Sequence, residues 1–240
     1  MSRSRAVGVV MGVLLGAAAA AWAQGTSGTV PWETLSGRIH RVQGRTWRWA
    51  FDVRLTPGAV QVRVPVRLVP AQGVTRPEMD RVLPEWESGI EEVWSEKWGV
   101  RLADGAVLPV VVDVAFRGRR YLHEVIVERA GGGVDQLHWH LADSPEVLAH
   151  EVGHMLGLYD EYRRGAVGPG SPVHDPDSVM ASGGGTGAVR RRHLARVLAW
   201  FEERTGLRAE LVPLGEEGDA LAQTVPPGRD EPSSRQRGEP

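Results

Sequence analysis

The stretch HEVGHMLGLYD, residues 150–160, carries the strongest chemical signal in this chain. His150 and His154 are about one helical turn apart, so on a helix both imidazoles lie on the same face. Two imidazoles at this spacing can hold one metal ion, and the carboxylate of Glu151 can reach a water molecule bound to that ion. The segment therefore predicts a metal site with His150 and His154 as two of its ligands.

Asp160 is the expected third ligand. A zinc ion that hydrolyses a bond needs about three protein ligands and one open position, and an aspartate oxygen is a suitable ligand. Gly157 can end the helix in a left-handed conformation that glycine adopts most easily, so the chain can turn back and carry Asp160 towards the histidines. Glu161 is a rival, although its side chain should leave the backbone in a different direction. More remote alternatives are His174, Asp175, Glu202 and Glu203.

Glu151 is then predicted to be the general base. It would take a proton from a metal-bound water, whose pKa the ion lowers, and pass that proton to the leaving amine. The same pentad also occurs in helices as nothing more than a polar stripe. The metal site is favoured here by the helix start before the pentad, by Gly157 and Asp160 after it, and by a secretory signal.

The first 23 residues have the features of that secretory signal. Arg3 and Arg5 form a basic region, residues 7–21 are apolar, and Ala21-Trp22-Ala23 is a small-x-small cleavage site. We therefore expect cleavage after Ala23 and secretion, either to a periplasm or outside the cell. A membrane anchor is the alternative, but the apolar run is short for a span of about 20 residues, so we expect no stable membrane insertion.

Composition limits the classes of function. The chain has 240 residues, a formal net charge of −2 and no cysteine. This length suits one domain with tails, and the nearly balanced charge gives no indication of nucleic-acid binding. The absence of cysteine excludes a thiol nucleophile, a cysteine-ligated zinc site and disulfide bonds.

Alternating apolar residues predict a β-hairpin. They occupy odd positions in residues 47–55 and even positions in residues 60–68, on either side of Thr56-Pro57-Gly58. Pro65 has no N–H group, so we expect its strand to lie at a sheet edge or to be bulged there.

Apolar periodicity and capping residues predict the remaining elements. Helices are expected at residues 77–98 with Gly99 as the C-cap, at 145–156, and at 188–204. Further strands are expected at residues 107–116, 121–128 and 134–141. Asp143-Ser144-Pro145-Glu146 is a strong start for the second helix.

The pattern His150-Glu151-x-x-His154-x-x-Gly157-x-x-Asp160 resembles the signature of the metzincin zinc peptidases. It matches the variant with an aspartate third ligand, as in the snapalysin-like secreted bacterial peptidases. Ser178-Val179-Met180-Ala181-Ser182 resembles the Met-turn of that family, which places a methionine beneath the zinc ligands.

The resemblance implies an α/β (α+β) fold, metzincin-like, with a mixed twisted β-sheet, an active-site helix and a C-terminal helix. It implies that Zn²⁺ binds to His150, His154 and Asp160, that Glu151 is the catalytic base, and that Met180 is the Met-turn residue. The domain boundaries that follow are a signal peptide at 1–23, a lead-in and first hairpin strand at 24–57, a catalytic domain at 58–213 and a disordered tail at 214–240. Residues 24–57 belong either to the catalytic domain or to a removable prosegment.

The strand at 134–141 would be the edge strand that pairs with extended substrate. Its alternation puts Leu137 on the buried face and Gln136, His138 and His140 on the wet face, where they either line the cleft or are ordinary exposed residues. Some metzincins place a tyrosine two residues after the methionine. Ser182 occupies that position here, and Tyr159 or Tyr162 could substitute for it.

The sequence therefore predicts a secreted zinc-dependent endopeptidase that acts on protein or peptide substrates. Two other functions remain open: a secreted binding module on a peptidase scaffold, and a metal-dependent hydrolase of non-peptide bonds.

Overall fold

The computed structural model describes residues 29–182 and 187–215 of the chain. The predicted signal peptide lies outside these residues, as does nearly all of the predicted disordered tail. Within residues 29–182 and 187–215, no helix is long and apolar enough to span a bilayer.

One mixed sheet organises the described chain. Its strands are β1 (Glu33–Val42), β2 (Arg45–Thr56), β3 (Ala59–Pro70), β4 (Trp98–Arg101), β5 (Val107–Ala115), β6 (His123–Glu128), β7 (His138–His140) and β8 (Glu210–Pro213). The main path runs β1-β2-β3-β5-β4-β8, while β6 pairs with β3, and β7 pairs with β6. The β3–β5, β3–β6 and β6–β7 pairs are parallel and the others are antiparallel. The predicted mixed sheet is confirmed.

The predicted hairpin is also confirmed, as β2 and β3. Strand β1, which pairs with β2, begins inside the stretch that we expected to be a loose lead-in. Its inward positions include Gly37, where a Cβ atom would lie 2.6 Å from the Trp49 ring. The strand was missed because small residues such as this one weaken the apolar alternation.

Pro65 lies inside the sheet, where β3 changes partners. Residues up to Arg63 pair with β2, and residues from Val66 pair with β6. The carbonyl of Pro65 accepts a hydrogen bond from the Leu122 N–H at 2.9 Å. A residue without an N–H group is tolerated at this position because the ladder is interrupted there.

Helix α1 (Arg76–Trp94) is shorter than predicted. The Ser95 hydroxyl donates to the Val112 carbonyl at 2.7 Å and accepts from the Val112 N–H at 2.9 Å, which ties the end of the helix to β5. Trp98 then starts β4 instead of ending the helix, so the predicted C-cap at Gly99 was wrong. The apolar spacing had suggested a longer helix because Trp98 lies four residues after Trp94 and is also buried, although it belongs to a strand.

Helix α2 (Pro145–Met155) matches its prediction closely, and Gly157 follows it with a φ of +87°. Helix α3 (Ala195–Thr205) starts later than predicted, after a short 3-10 turn at Arg191–Leu194. The later start arises because Ala188 pairs with Ser178 in an isolated β-bridge.

Helices α1 and α2 pack on the sheet over one hydrophobic core. Two α1 tryptophans hold α2 in place: Trp86 Nε1 donates to the Asp143 carbonyl, and Trp94 Nε1 donates to the Ala149 carbonyl, both at 3.0 Å. The aromatic stripe of α1 therefore fixes the position of the helix that carries the two histidines.

Candidate metal centre

The two histidines lie in the second half of α2, and hydrogen bonds to backbone carbonyls orient both rings. His150 Nδ1 lies 3.0 Å from the Val179 carbonyl oxygen, and His154 Nδ1 lies 3.1 Å from that of Leu158. A carbonyl oxygen only accepts, so each Nδ1 carries a proton and donates. In the neutral rings both Nε2 atoms therefore keep a free lone pair, as metal-binding histidines require.

Asp160 brings a carboxylate to the same point. Its Oδ1 atom lies 3.3 Å from the Nε2 atoms of both His150 and His154. Its other oxygen, Oδ2, accepts a hydrogen bond from the Ala166 N–H at 2.5 Å. Oδ1 is buried without a hydrogen-bond partner among the described residues, which is unusual for a carboxylate oxygen.

Glu151 is the second carboxylate close to the histidines. His150, Glu151 and His154 each offer one ligand atom, and these three atoms lie within 4.8 Å of one another. Burial raises the pKa of Glu151, and the two histidines only partly offset that effect. For Asp160 burial also acts to raise the pKa, but interactions with the two imidazoles outweigh it and hold the pKa far below its ordinary value.

The rival ligand Glu161 lies in a different environment. Arg192 binds it with two hydrogen bonds of 2.6 Å, and His193 Nε2 lies 3.3 Å from its Oε1 atom. Arg192 and Arg190 also pair with Asp175. We call Glu161, Asp175, Arg190, Arg192 and His193 the rear cluster.

The other proposed rivals also lie away from the two histidines. Asp175 belongs to the rear cluster, and His174 is exposed. Glu202 accepts a hydrogen bond from the Ala209 N–H at 3.1 Å. None of these carboxylates and imidazoles lines the cleft that contains His150 and His154.

Met180 lies directly against α2. A Cβ atom on Gly153 would lie 2.3 Å from its sulfur, so the glycine makes room for the methionine. The Ser178 hydroxyl accepts a hydrogen bond from the Met180 N–H at 3.0 Å, and the neighbouring Val179 carbonyl is the one that orients His150. This turn therefore supports the histidine helix from below, at the place predicted for a Met-turn.

A cleft of about 580 Å³ opens above these groups. Its floor contains His150, Glu151, His154 and Asp160. Residues 45–47 form one wall and residues 133–137 form another, while Tyr162 and Ala166 complete the lining. The wall at 45–47 was not predicted as part of the site.

Trp47 shows how this wall meets the floor. Its ring packs edge-on against His154 at a centroid distance of 5.5 Å and against Tyr159 at 5.7 Å. Sequence alternation marked Trp47 only as an inward-facing strand residue. Of the two tyrosines considered as substitutes for a Met-turn tyrosine, only Tyr162 lines the cleft.

The predicted edge strand needs correction. Strand β7 contains only residues 138–140, because the Asp135 side chain accepts hydrogen bonds from the N–H groups of Leu137 (2.7 Å) and His138 (3.0 Å) and so holds a turn there. Leu137, predicted to be buried, is 45% exposed. Gln136, predicted to lie on the wet face, is buried and donates to the Arg48 carbonyl.

The two histidines of β7 do not line the cleft. His138 pairs with Asp135, and their closest atoms are 3.0 Å apart. His140 is buried between Glu128 and Asp143. Gln136 is therefore the one wet-face candidate of this segment that lines the cleft.

Comparison with known proteins gives one result for this region. The model of a family described as "Immune inhibitor A peptidase M6, catalytic domain" matches residues 141–206. The matched segment includes α2, the turn at Met180 and α3, and it supports a zinc metallopeptidase. No curated protein and no solved structure matches the chain.

Proposed function

We propose that this protein is a secreted zinc endopeptidase in which His150, His154 and Asp160 bind the metal and Glu151 is the general base. The observation that carries the proposal is the convergence of three ligand atoms: Asp160 Oδ1 lies 3.3 Å from the Nε2 atom of each histidine. The partial family match supports the coarser assignment of a metallopeptidase.

The side chains that converge here fit zinc. Two imidazole nitrogens and one carboxylate oxygen are ligands that catalytic zinc sites use. Both imidazoles have their Nδ1 atoms engaged by carbonyls, and one buried oxygen of Asp160 has no hydrogen bond from residues 29–182 or 187–215. A cation between these three atoms would satisfy all of them, so Asp160 is a better third ligand than Glu161, which already has protein partners.

Glu151 is suited to hold and move a proton. Zinc, when bound, would polarise a substrate carbonyl and lower the pKa of a water molecule. Glu151 is 6% exposed and adjoins His150, so its carboxylate can accept a proton from a water in the cleft and deliver it to a leaving amine.

The cleft also fits a polymeric substrate. It is open to solvent between two walls of the chain, and residues 133–137 adjoin the edge strand β7. We therefore assign protein or peptide as the substrate class. Secretion belongs to the proposal as well, and it depends on the sequence features of residues 1–23 alone.

Residues 33–57 are part of the catalytic domain in this proposal, not a removable prosegment. Strand β2 contributes the buried side chains Phe51, Val53 and Leu55 to the core, and Trp47 packs on His154. Removal of this strand would expose the core and one wall of the cleft. N-terminal sequencing of active protein tests this assignment, which requires active protein to retain β2.

The test of the proposed function compares Glu151→Gln with the wild-type protein. We expect both proteins to bind one zinc ion, and we expect the variant to lose at least about 100-fold in peptidase activity, the usual minimum for a general base. Glu146→Gln is a matched control, because Glu146 lies on the same helix outside the cleft. The proposal is wrong if wild-type protein binds no stoichiometric zinc, or if Glu151→Gln cleaves unfolded protein as fast as wild type.

The same preparation separates the alternatives. A binding module would hold zinc without cleaving any substrate. A hydrolase of non-peptide bonds would act on ester or glycan substrates in a chelator-sensitive way while leaving amide substrates intact.

A further inference from the structure

Arg45 is the first residue of β2 and places its guanidinium at the metal centre. Its Nη1 atom lies 3.9 Å from Asp160 Oδ2, a distance too long for a hydrogen bond. The Arg45 side chain is 65% exposed, whereas that of Asp160 is 1% exposed. The arginine therefore lies over a buried carboxylate, at the lining of the cleft, while most of its own surface is exposed to solvent.

Arg45 is the one lysine or arginine among the described residues that line this cleft. Asp160 Oδ2 accepts the Ala166 N–H and lies beyond hydrogen-bond distance of the guanidinium. The lining has two other acidic groups, Asp135 and Glu151. Asp135 is occupied by two backbone N–H groups and by His138, and the one ion pair of Arg45 among the described residues is the long contact with Asp160, not one with Glu151. The donors of Arg45 are thus available to a molecule in the cleft.

The charge of the metal centre adds to this argument. A zinc ion with the carboxylates of Asp160 and Glu151 is neutral as a group, so Arg45 gives this part of the cleft a positive charge. The planar guanidinium matches the geometry of a carboxylate and binds it through two parallel hydrogen bonds. An extended chain that passes the metal centre would bring a neighbouring carboxylate within reach of Arg45.

We infer that Arg45 forms a subsite for a substrate carboxylate next to the bond that is cleaved. This inference rests on the proposed peptidase function and adds a substrate class to it. The carboxylate can come from an aspartate or glutamate side chain or from the C-terminus of the substrate, and the chemistry that recognises it is the same.

The experiment uses three peptides that share one core sequence. The first has a glutamate beside the scissile bond and an amidated C-terminus, the second replaces that glutamate by glutamine, and the third has the glutamine with a free C-terminus near the bond. Wild-type protein should favour the first or the third peptide over the second by about 10- to 100-fold in kcat/KM, the range for one charged hydrogen bond. Preference for the first identifies a side-chain carboxylate, and preference for the third identifies a terminal one.

Variants of Arg45 test whether this residue causes the preference. Arg45→Gln should abolish it, and Arg45→Glu should favour a peptide with lysine in place of the glutamate. Arg38→Gln is the matched control, because Arg38 is an exposed arginine on the neighbouring strand β1 that lies outside the cleft. It should keep the wild-type preference.

A binding measurement makes the test independent of cleavage. Dissociation constants for the three peptides are measured with zinc-treated Glu151→Gln protein, with and without Arg45→Gln. A carboxylate preference that disappears with Arg45→Gln supports the subsite even if the wild-type protein cleaves none of the peptides, a result that would overturn only the proposed peptidase activity.

Three results overturn the subsite. The first is equal binding of all three peptides. The second is an equal loss of kcat/KM on all peptides in Arg45→Gln, which would mean that Arg45 acts on the reaction and not on specificity. The third is weaker zinc binding in Arg45→Gln with an unchanged peptide preference, which would make Arg45 a positioning residue for Asp160.

Discussion

Asp160 and Glu161 are adjacent carboxylates with opposite environments. Both are almost fully buried, at 1% and 2% exposure. Glu161 has Arg192 and His193 as partners in the rear cluster, and these contacts hold its pKa well below the ordinary value although burial acts to raise it. Asp160 has one oxygen bound by the Ala166 N–H and another that only faces two imidazole nitrogens.

The difference separates a carboxylate that stabilises the fold from one that is prepared for a ligand. A buried charge is costly unless a partner compensates it. The protein supplies the Arg192 cation to Glu161, whereas around Asp160 Oδ1 it supplies two nitrogen atoms that can themselves bind a metal. Four measurements on these two residues and on the groups that join them can break or sharpen this contrast.

The largest expected effect is on zinc affinity. Asp160→Ala should weaken zinc binding more than about 100-fold, since loss of an outer partner of a zinc ligand alone costs about 10- to 100-fold. Glu161→Gln should change the affinity by less than about 10-fold. Competition with a chromophoric chelator measures both variants, and an equal loss in the two would remove the distinction between the carboxylates.

The second effect is on stability. Here a substitution of Glu161 should cost more than one of Asp160, the opposite order to that expected for zinc affinity. Glu161→Gln breaks a buried ion pair, so the free energy of unfolding of chelator-treated protein should fall by about 2 kcal/mol, less than for a fully buried pair because Arg192 is 36% exposed. Asp160→Asn keeps an acceptor for the Ala166 N–H and should cost less than about 1 kcal/mol. Urea unfolding measures both values. A larger loss for Asp160→Asn would show that the metal-site carboxylate is the structural one.

The third effect concerns Met180, which joins the two regions. Its carbonyl accepts the Glu161 N–H at 2.8 Å, and its side chain lies against Gly153 below the histidines. Gly153→Ala should destabilise the protein by about 1–2 kcal/mol, because overpacking outweighs the better helix propensity of alanine.

A double-mutant cycle is the control for this prediction. In a Met180→Ala background the added methyl group has space, so the cost of Gly153→Ala should disappear or change sign. If the stability costs of Gly153→Ala and Met180→Ala add up to the cost of the double variant within about 0.5 kcal/mol, Met180 is not what makes glycine necessary at position 153.

The smallest effect is a pH dependence in the rear cluster. Burial lowers the pKa of His193, although Glu161 acts to raise it. Below about pH 6.5 the unfolded chain therefore binds a proton that the folded chain does not, so stability falls as the pH decreases. Between pH 7.5 and 5.5 the free energy of unfolding should decrease by up to about 1 kcal/mol more in wild type than in His193→Gln.

His174→Gln provides the comparison for this measurement, because His174 is exposed and lies outside the cluster. It should show the wild-type pH dependence. If His193→Gln and wild type lose stability in parallel, His193 does not contribute to acid sensitivity.

Much of the fold could be predicted because its signals are local. The β2–β3 hairpin was recognised from a period of two around a turn, and α2 from its N-terminal residues and Gly157. The errors lie where a side-chain hydrogen bond, distant in one case and local in the other, decided a boundary. Ser95 ends α1 because it bonds to Val112 on β5, and Asp135 shortens β7 because its side chain captures two N–H groups.

The candidate site divides in the same way. The spacing of His150, Glu151 and His154 on one helix, and the glycine that turns the chain towards Asp160, are properties of eleven consecutive residues and needed no tertiary information. Our preference for Asp160 over Glu161 as the proposed third ligand depends on Arg192, which is 31 residues away from Glu161 in the sequence.

The cleft walls were decided by tertiary structure alone. Arg45 and Trp47 precede His150 by about one hundred residues. They reach the candidate metal centre because the first half of β2 extends beyond the part that pairs with β3 and lies beside α2. Sequence by itself determined the spacing of the residues that we propose as metal ligands, because helical spacing and glycine conformation are set by near neighbours. Only the tertiary structure decided which buried charges are already compensated and which side chains a substrate would meet, because these depend on contacts between distant segments.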